Sequence, residues 1–245
     1  MSYRDRTSLG VAKLNRYYRE LMGHNLFSFR VKYKESDIWI GMDKKIPGLP
    51  ILIYEYLVDL RKSIEEYVDE EFLGVLKPLK IKCDEPEIVK DMILCSQKAG
   101  VGPMAAVAGA FSKFVGRFIL NTFSPQKLFV ENGGDLYVFS TTDTSVGIVS
   151  NTINLKIELP AGEYGIATSS RYIGHSKNFG KTDTTTVVTH DATLSDAYAT
   201  AISNNIKNVY DAKRILKKEF QEIQDIVVII DGYVVIKGIH RVRGW

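Results

Sequence analysis

The segment from Met104 to Leu120, MAAVAGAFSKFVGRFIL, constrains this chain more than any other stretch. It is apolar almost all round and rich in Ala and Gly, so as a helix it has no polar face to turn to water and must be enclosed. The small residues of its first turns permit very close backbone approach. Immediately after it, LFV, NGG and LYVF read as strand, turn and strand, because Asn-Gly pairs favour the positive φ angles of tight hairpins. The helix is therefore expected to lie against a sheet.

The rest of the chain supplies that sheet. FSFRVKYKESDIWI, Phe27 to Ile40, alternates apolar and polar side chains around a charged break at Lys34 to Asp37, which predicts two strands and a turn. From Tyr54 to Leu76, Leu57, Leu60, Ile64, Tyr67, Val68 and Phe72 recur at helical spacing. Asp84, Glu85 and Pro86 announce a second helix that carries Ile88, Val89, Met92, Ile93 and Cys95 inward and ends at Gly100. NLKIELP, YGIAT and TTTVVTH read as further strands, and Ser195 as the cap of a helix through DAYATAISNNI. Another helix is expected over Tyr210 to Phe220, then a hairpin, DIVVIIDGYVVIKG, with an Asp-Gly turn. Hairpins outnumber βαβ crossovers, and no GxGxxG or Walker lysine loop occurs, so the expected class is α+β. We read residues 1–245 as a single layered domain of mixed, mostly antiparallel sheets packed with helices.

Composition narrows the function. A formal charge of +3, with no basic run interleaved with aromatics, gives no sign of a nucleic-acid binder, though it is compatible with an anionic small molecule. Only Cys83 and Cys95 occur, without CxxC spacing, and are expected as reduced thiols. The polar N-terminus lacks an apolar signal core, and no apolar run approaches the roughly 20 residues of a bilayer span. The expectation is a cytoplasmic protein with no membrane role.

Three groups of residues could carry chemistry. Asp196 and Thr200, four apart on one helix face, could share a hard cation such as Mg²⁺ while the helix start attracts phosphate; equally, Asp196 could complement the macrodipole and Thr200 pack. Glu131, Asn132, Gly133, Gly134 and Asp135 form either an ordinary hairpin turn or a place where a ligand lies against bare backbone while an acidic side chain binds its polar edge. Thr168, Ser169 and Ser170 end a strand with hydroxyls suited to phosphate oxygens and equally usual in a loop. His175, in a Gly-rich loop, is the best placed of the four histidines for proton transfer; an exposed loop histidine without a role is the plainer reading.

Taken in order, these pieces resemble the ApbE family, flavin transferases that use FAD and Mg²⁺ to attach FMN to a threonine of a target protein. ENGGD is similar to the family's NAGGD turn, IATSS to its TSG strand end, and DATLSDAYATA, Asp191 to Ala201, to its ADALAT helix. The likeness runs from about Gly100 to Gly238, and the lack of a signal resembles a cytosolic branch of archaea and anaerobes. It implies Asp196, Thr200 and a backbone carbonyl near Val107 as metal ligands, the turn with Ala108 and Gly109 as the flavin-nucleotide site, and His175 beside Asp196 as catalytic. Two pieces differ: Val107-Ala108-Gly109 stands where the family has AKG, and GHSKNFGKTDTTT replaces HIIDPRTG. The expected ligands are thus Mg²⁺ and FAD, with FMN transfer to an acceptor protein or FAD pyrophosphate cleavage as the activity. The alternatives are a non-catalytic nucleotide-binding protein or another small-molecule role in sulfur or coenzyme metabolism.

Overall fold

The computed structural model describes residues 26–170 and 180–245. The strands are β1 (Phe27–Tyr33), β2 (Ser36–Met42), β3 (Lys127–Asn132), β4 (Asp135–Ser140), β5 (Thr144–Ile148), β6 (Leu155–Leu159), β7 (Gly162–Ser169), β8 (Thr184–Thr189), β9 (Asp225–Ile230), β10 (Tyr233–Gly238) and β11 (Arg241–Gly244). The helices are α1 (Leu49–Tyr67), α2 (Glu70–Gly74), α3 (Glu87–Ala99), α4 (Val107–Phe123, entered through a 3₁₀ turn at Pro103–Ala106), α5 (Ala192–Asn204) and α6 (Val209–Ile215).

Eight strands form one sheet in the order β1-β2-β3-β4-β7-β8-β9-β10, every neighbouring pair antiparallel, and β11-β6-β5 form a second. One face of the large sheet is covered by helices. Ile53, Leu57, Leu60 and Ile64 of α1, Met92 and Ile93 of α3, and Phe111, Val115 and Ile119 of α4 pack there against Ile38, Ile40, Leu128, Val130 and Tyr137. Further along the same face α5 and α6 bury Ala199, Ile202, Ala212 and Ile215 against Val187, Ile226 and Val228. The small sheet packs on the opposite face, where Val146, Ile157 and Leu159 meet Leu136, Val138, Ile166 and Val188. This is the expected α+β layering, and alternation along each strand assigns residues to one layer or the other.

Local signals account for most boundaries. The turn after β1 is entered through Lys34 at φ 52°, and α3 ends on Gly100 at φ 76°, hydrogen-bonded back to Ser96 and Gln97. Asp231 and Gly232, at φ 50° and 76°, make the two-residue turn between β9 and β10.

Several expectations need correction. The first long helix starts five residues earlier than its periodicity predicts, behind Gly48 and with Pro50 in its first turn, and it stops at Tyr67, before the separate short α2. The helix expected over Tyr210 to Phe220 is only the short α6. The cap of α5 is Asp191, whose Oδ1 accepts from the N–H groups of Thr193 and Leu194, so Ser195 lies inside the helix and donates to the Gly165 carbonyl at 2.9 Å. Arg241–Gly244, where no element was expected, forms strand β11, paired with β6. Pro103–Phe123 does have the length and apolar composition of a membrane span, but 56% of its most apolar window is buried within the molecule.

Candidate functional site

The site begins with an uncapped helix. Ala106, in the N-cap position of α4, offers no side-chain acceptor, leaving the first N–H groups of a buried helix to find partners elsewhere. Asp196, reaching from α5, supplies one: its Oδ2 accepts from Gly109 N–H at 2.9 Å. The two helices meet so closely that a Cβ on Gly109 would lie 2.2 Å from the Ala192 carbonyl oxygen and 2.8 Å from the Asp196 Cβ. Gly109 is thus the contact that lets the carboxylate reach the helix end. The helix terminus beside Asp196 is that of α4, because in its own helix Asp196 sits in the second turn.

The hairpin between β3 and β4 closes over the same place. Gly133 and Gly134, at φ 66° and 105°, occupy conformations that a side chain would strain, and Gly133 is exposed. Glu131 is buried and its Oε1 accepts from Gly134 N–H at 2.7 Å, tying the turn to its own first residue. Asn132 points its amide at the Ala108 carbonyl, 3.4 Å away, and Ser112 donates to the Asp135 carbonyl at 2.8 Å, so the turn is stitched to α4. Asp135 is buried and accepts from Thr168 N–H at 3.3 Å.

Asp135 and Asp196 therefore share one polar enclosure. Burial raises Asp196 to about 7, against the pull of the Gly109 and Ala108 N–H groups. Burial likewise lifts Asp135 well above its ordinary value, the charge of Asp196 adds to the rise, and the Thr168 N–H opposes it. Among the described residues neither carboxylate has an ion-pair partner. Thr200 stands one turn beyond Asp196 on the same helix face, half-buried, as does Val107 in the first turn of α4.

The other candidates divide. The Thr168 hydroxyl meets that of Thr186 at 2.9 Å and Ser170 donates to the Asp183 carbonyl at 2.6 Å, so both are engaged within the strand layer, and Ser169 is buried beside them. Ala108 and Gly109 lie in the first turn of α4. His175 falls outside the described residues.

A second cluster escaped the sequence reading. Asp91, Cys95 and Asp191 bring ligand atoms within 4.8 Å of one another, a spacing that could hold a metal ion. Lys113 already provides the positive charge, with Nζ at 2.7 and 2.9 Å from the Asp91 oxygens and bonded to Asp191, while Thr193 donates to Asp91 at 2.6 Å. Burial opposes the ammonium charge, but Asp191 and Asp91 outweigh it and raise Lys113. Burial, then the same two carboxylates, push the Cys95 thiol upward, which keeps it protonated and unreactive. The signal was available: Lys113 is the one charged residue in the first ten of the apolar run that begins at Met104.

A family model described as AbpE bacteria matches residues 19–236. A UPF0280 protein of Methanococcus vannielii is 38% identical over 189 residues, 73% of this chain and 75% of its own. Another, from Archaeoglobus fulgidus, is 32% identical over 220 residues, 86% and 91% of the two chains. Among solved structures, the apo flavinyl transferase ApbE of Pseudomonas stutzeri superposes with TM-score 0.56 at 12% identity, covering 86% of this chain and 93% of that one. The flavin transferase ApbE of Vibrio cholerae gives 0.55 at 12% identity, covering 86% and 97%. At such identities the shared property is the fold.

Proposed function

The chain belongs to the AbpE bacteria family, and on that premise we propose that it binds a flavin nucleotide, FAD, with a divalent cation, Mg²⁺, where Asp196 meets the ENGGD turn. The observation that carries this reading is the pair of carboxylates, buried Asp135 and half-buried Asp196, beside a helix terminus, with no cationic side chain on either among the described residues. Burying two anions together is unfavourable unless something positive joins them. The donor set fits a hard cation: it is all oxygen, comprising Asp196, Asp135, the Thr200 hydroxyl and a carbonyl at Val107. When bound, such a cation would supply positive charge against the FAD pyrophosphate, where a hydroxyl oxygen bonds to the FMN phosphorus, the P–O bond to AMP breaks and AMP leaves.

The chain's own groups serve around it. Gly133 and Gly134 keep the turn free of side chains, so the nucleotide can lie against backbone, and Glu131 holds that turn in shape through Gly134 N–H. Asp196 is oriented by the Gly109 and Ala108 N–H groups, and in this reading its carboxylate would also hold the metal. His175 is the proton carrier in this reading. The activity is FMN transfer to an acceptor protein or cleavage of the FAD pyrophosphate. Incubation with FAD and Mg²⁺ should yield AMP with either free or protein-bound FMN, and Asp196→Ala should yield neither. Intact FAD, unbound at millimolar Mg²⁺, would sink the proposal.

One observation favours a second reading, binding without turnover: Ala108 stands where the resemblance places a lysine, and Lys113, five residues on, is committed to Asp91 and Asp191. Mg²⁺-dependent quenching of FAD fluorescence with no AMP released would select it.

A further inference from the structure

Among the described residues the large sheet ends on β10, whose outer edge carries no strand, since the next strand, β11, joins the small sheet. Natural edges are usually guarded by charge, proline or a bulge, because unpaired backbone groups recruit another strand. This one begins with four uncharged residues, Tyr233-Val234-Val235-Ile236, without proline. Tyr233 and Ile236 are 59% and 47% exposed, and Ile239 just beyond is 75% exposed. Lys237, the charge that could guard the edge, donates instead to the Lys218 carbonyl at 2.6 Å and to Glu219 at 3.1 Å.

The hairpin turn fixes which backbone groups are free. A two-residue turn is closed by a doubly hydrogen-bonded pair, here Ile230 with Tyr233, so Tyr233, Val235 and Lys237 face β9. Ile239 N–H donating to the Gln224 carbonyl continues that alternation. Val234, Ile236 and Gly238 therefore present their N–H and C=O groups outward.

We propose that this edge pairs with the same edge of a second copy, antiparallel about a two-fold axis at Ile236, to make one continuous sheet across a homodimer. That register alone pairs all three outward residues, Val234 with the partner's Gly238, Ile236 with the partner's Ile236, and Gly238 with the partner's Val234. It also sets exposed Tyr233 against the partner's Ile239, so each exposed apolar side chain of the edge meets another. At its two ends this register sets Asp231 beside the end of the partner's β10, just before the partner's Arg241 begins β11; the two residues carry opposite charges, are both exposed and form no ion pair among the described residues. A two-fold contact of this kind closes on itself, whereas pairing with β1 of another copy would propagate without end.

Sedimentation of the full-length protein at tens of micromolar should give twice the monomer mass. Ile236→Glu, which sets two carboxylates face to face on the axis, should raise the dimer dissociation constant at least tenfold with an unchanged circular dichroism spectrum. Opposed residues in such a pair have Cα atoms about 5.5 Å apart, within disulfide reach. Ile236→Cys, made in a Cys83→Ser background because Cys83 is exposed, should therefore form an oxidised cross-linked dimer. A wild-type monomer at these concentrations, a dimer indifferent to Ile236→Glu, or a failure of Ile236→Cys to cross-link would each overturn the proposal. Pairing with an extended segment of a different protein would appear as the first of these.

Discussion

At the scale of single residues, Asp196 carries the largest conflict between stability and use. Its pKa in the unfolded chain is 3.8 and in the folded protein about 7. The folded state thus holds the proton more tightly, and stability falls as pH rises from about 4 to about 7, then levels off. Asp196→Asn keeps an acceptor for Gly109 N–H and removes the ionisable group. It should stabilise the protein at pH 8 by up to about 4 kcal/mol, read as a higher melting temperature, with the gain shrinking toward pH 4. The same variant should lose Mg²⁺-dependent FAD binding. Thermal melts across pH would check the sign, and a gain that grew on acidification would contradict it. Gly109 presents the steric counterpart: Gly109→Ala forces a methyl group to 2.2 Å from the Ala192 carbonyl, so α4 and α5 must separate. Chemical denaturation should show a loss of about 1–3 kcal/mol. The acidic residue and the glycine were both legible in the sequence; their contact was not, because it joins helices whose contacting residues are 87 positions apart.

At the scale of elements, what could be read depended on how local the determining signal was. The hairpins at Lys34, Gly133 and Asp231 are set by a few adjacent residues and by alternation, and each stands where the sequence placed it. The start of α5 was misplaced because Asp191 and Ser195 are both good caps. Position 191 is the cap because its Oδ1 accepts from the Thr193 and Leu194 N–H groups, while Ser195 Oγ is engaged by the Gly165 carbonyl and the Thr189 hydroxyl. Strands β5 and β11 were missed because each is short and finds its partner only through β6. Lys113 is likewise invisible to periodicity, yet it ties α3, α4 and the cap of α5 into one unit. Lys113→Met should leave Asp91 and Asp191 without their cation, at about 3 kcal/mol allowing for their partial exposure. Adding Asp91→Asn should recover part of that loss, and denaturant titration of the single and double variants measures the recovery. An additive double variant would mean that the lysine packs by its stem alone.

At the scale of the molecule, the question is what keeps the two sheets in register around the site. The large sheet carries the ENGGD turn, and the small sheet braces its far face through Val138, Ile157 and Ile166. The chain passes from one sheet to the other once at its C-terminal end, between β10 and β11, and that crossing is pinned by a buried carboxylate. Asp225 Oδ1 accepts from His240 N–H at 2.9 Å, Oδ2 bonds the His240 ring, and Gly238 leaves room, since a Cβ there would lie 2.0 Å from Oδ1. Tyr164 sits edge-on to the His240 ring, with the centroids 5.7 Å apart, so the pin reaches β7, whose far end donates Thr168 N–H to Asp135. Replacing Asp225 with Ala should release β11 before anything else unfolds, because β11 pairs only with β6 and its exposed Arg241 and Arg243 contribute little to the core. Hydrogen exchange should then quicken in β11, β6 and β5 while β1 to β4 keep their protection. If the site depends on the small sheet as a brace, FAD binding should weaken in step with that local opening. Exchange that quickened uniformly over both sheets would show that they unfold as one unit, and the crossing would then contribute to global stability alone.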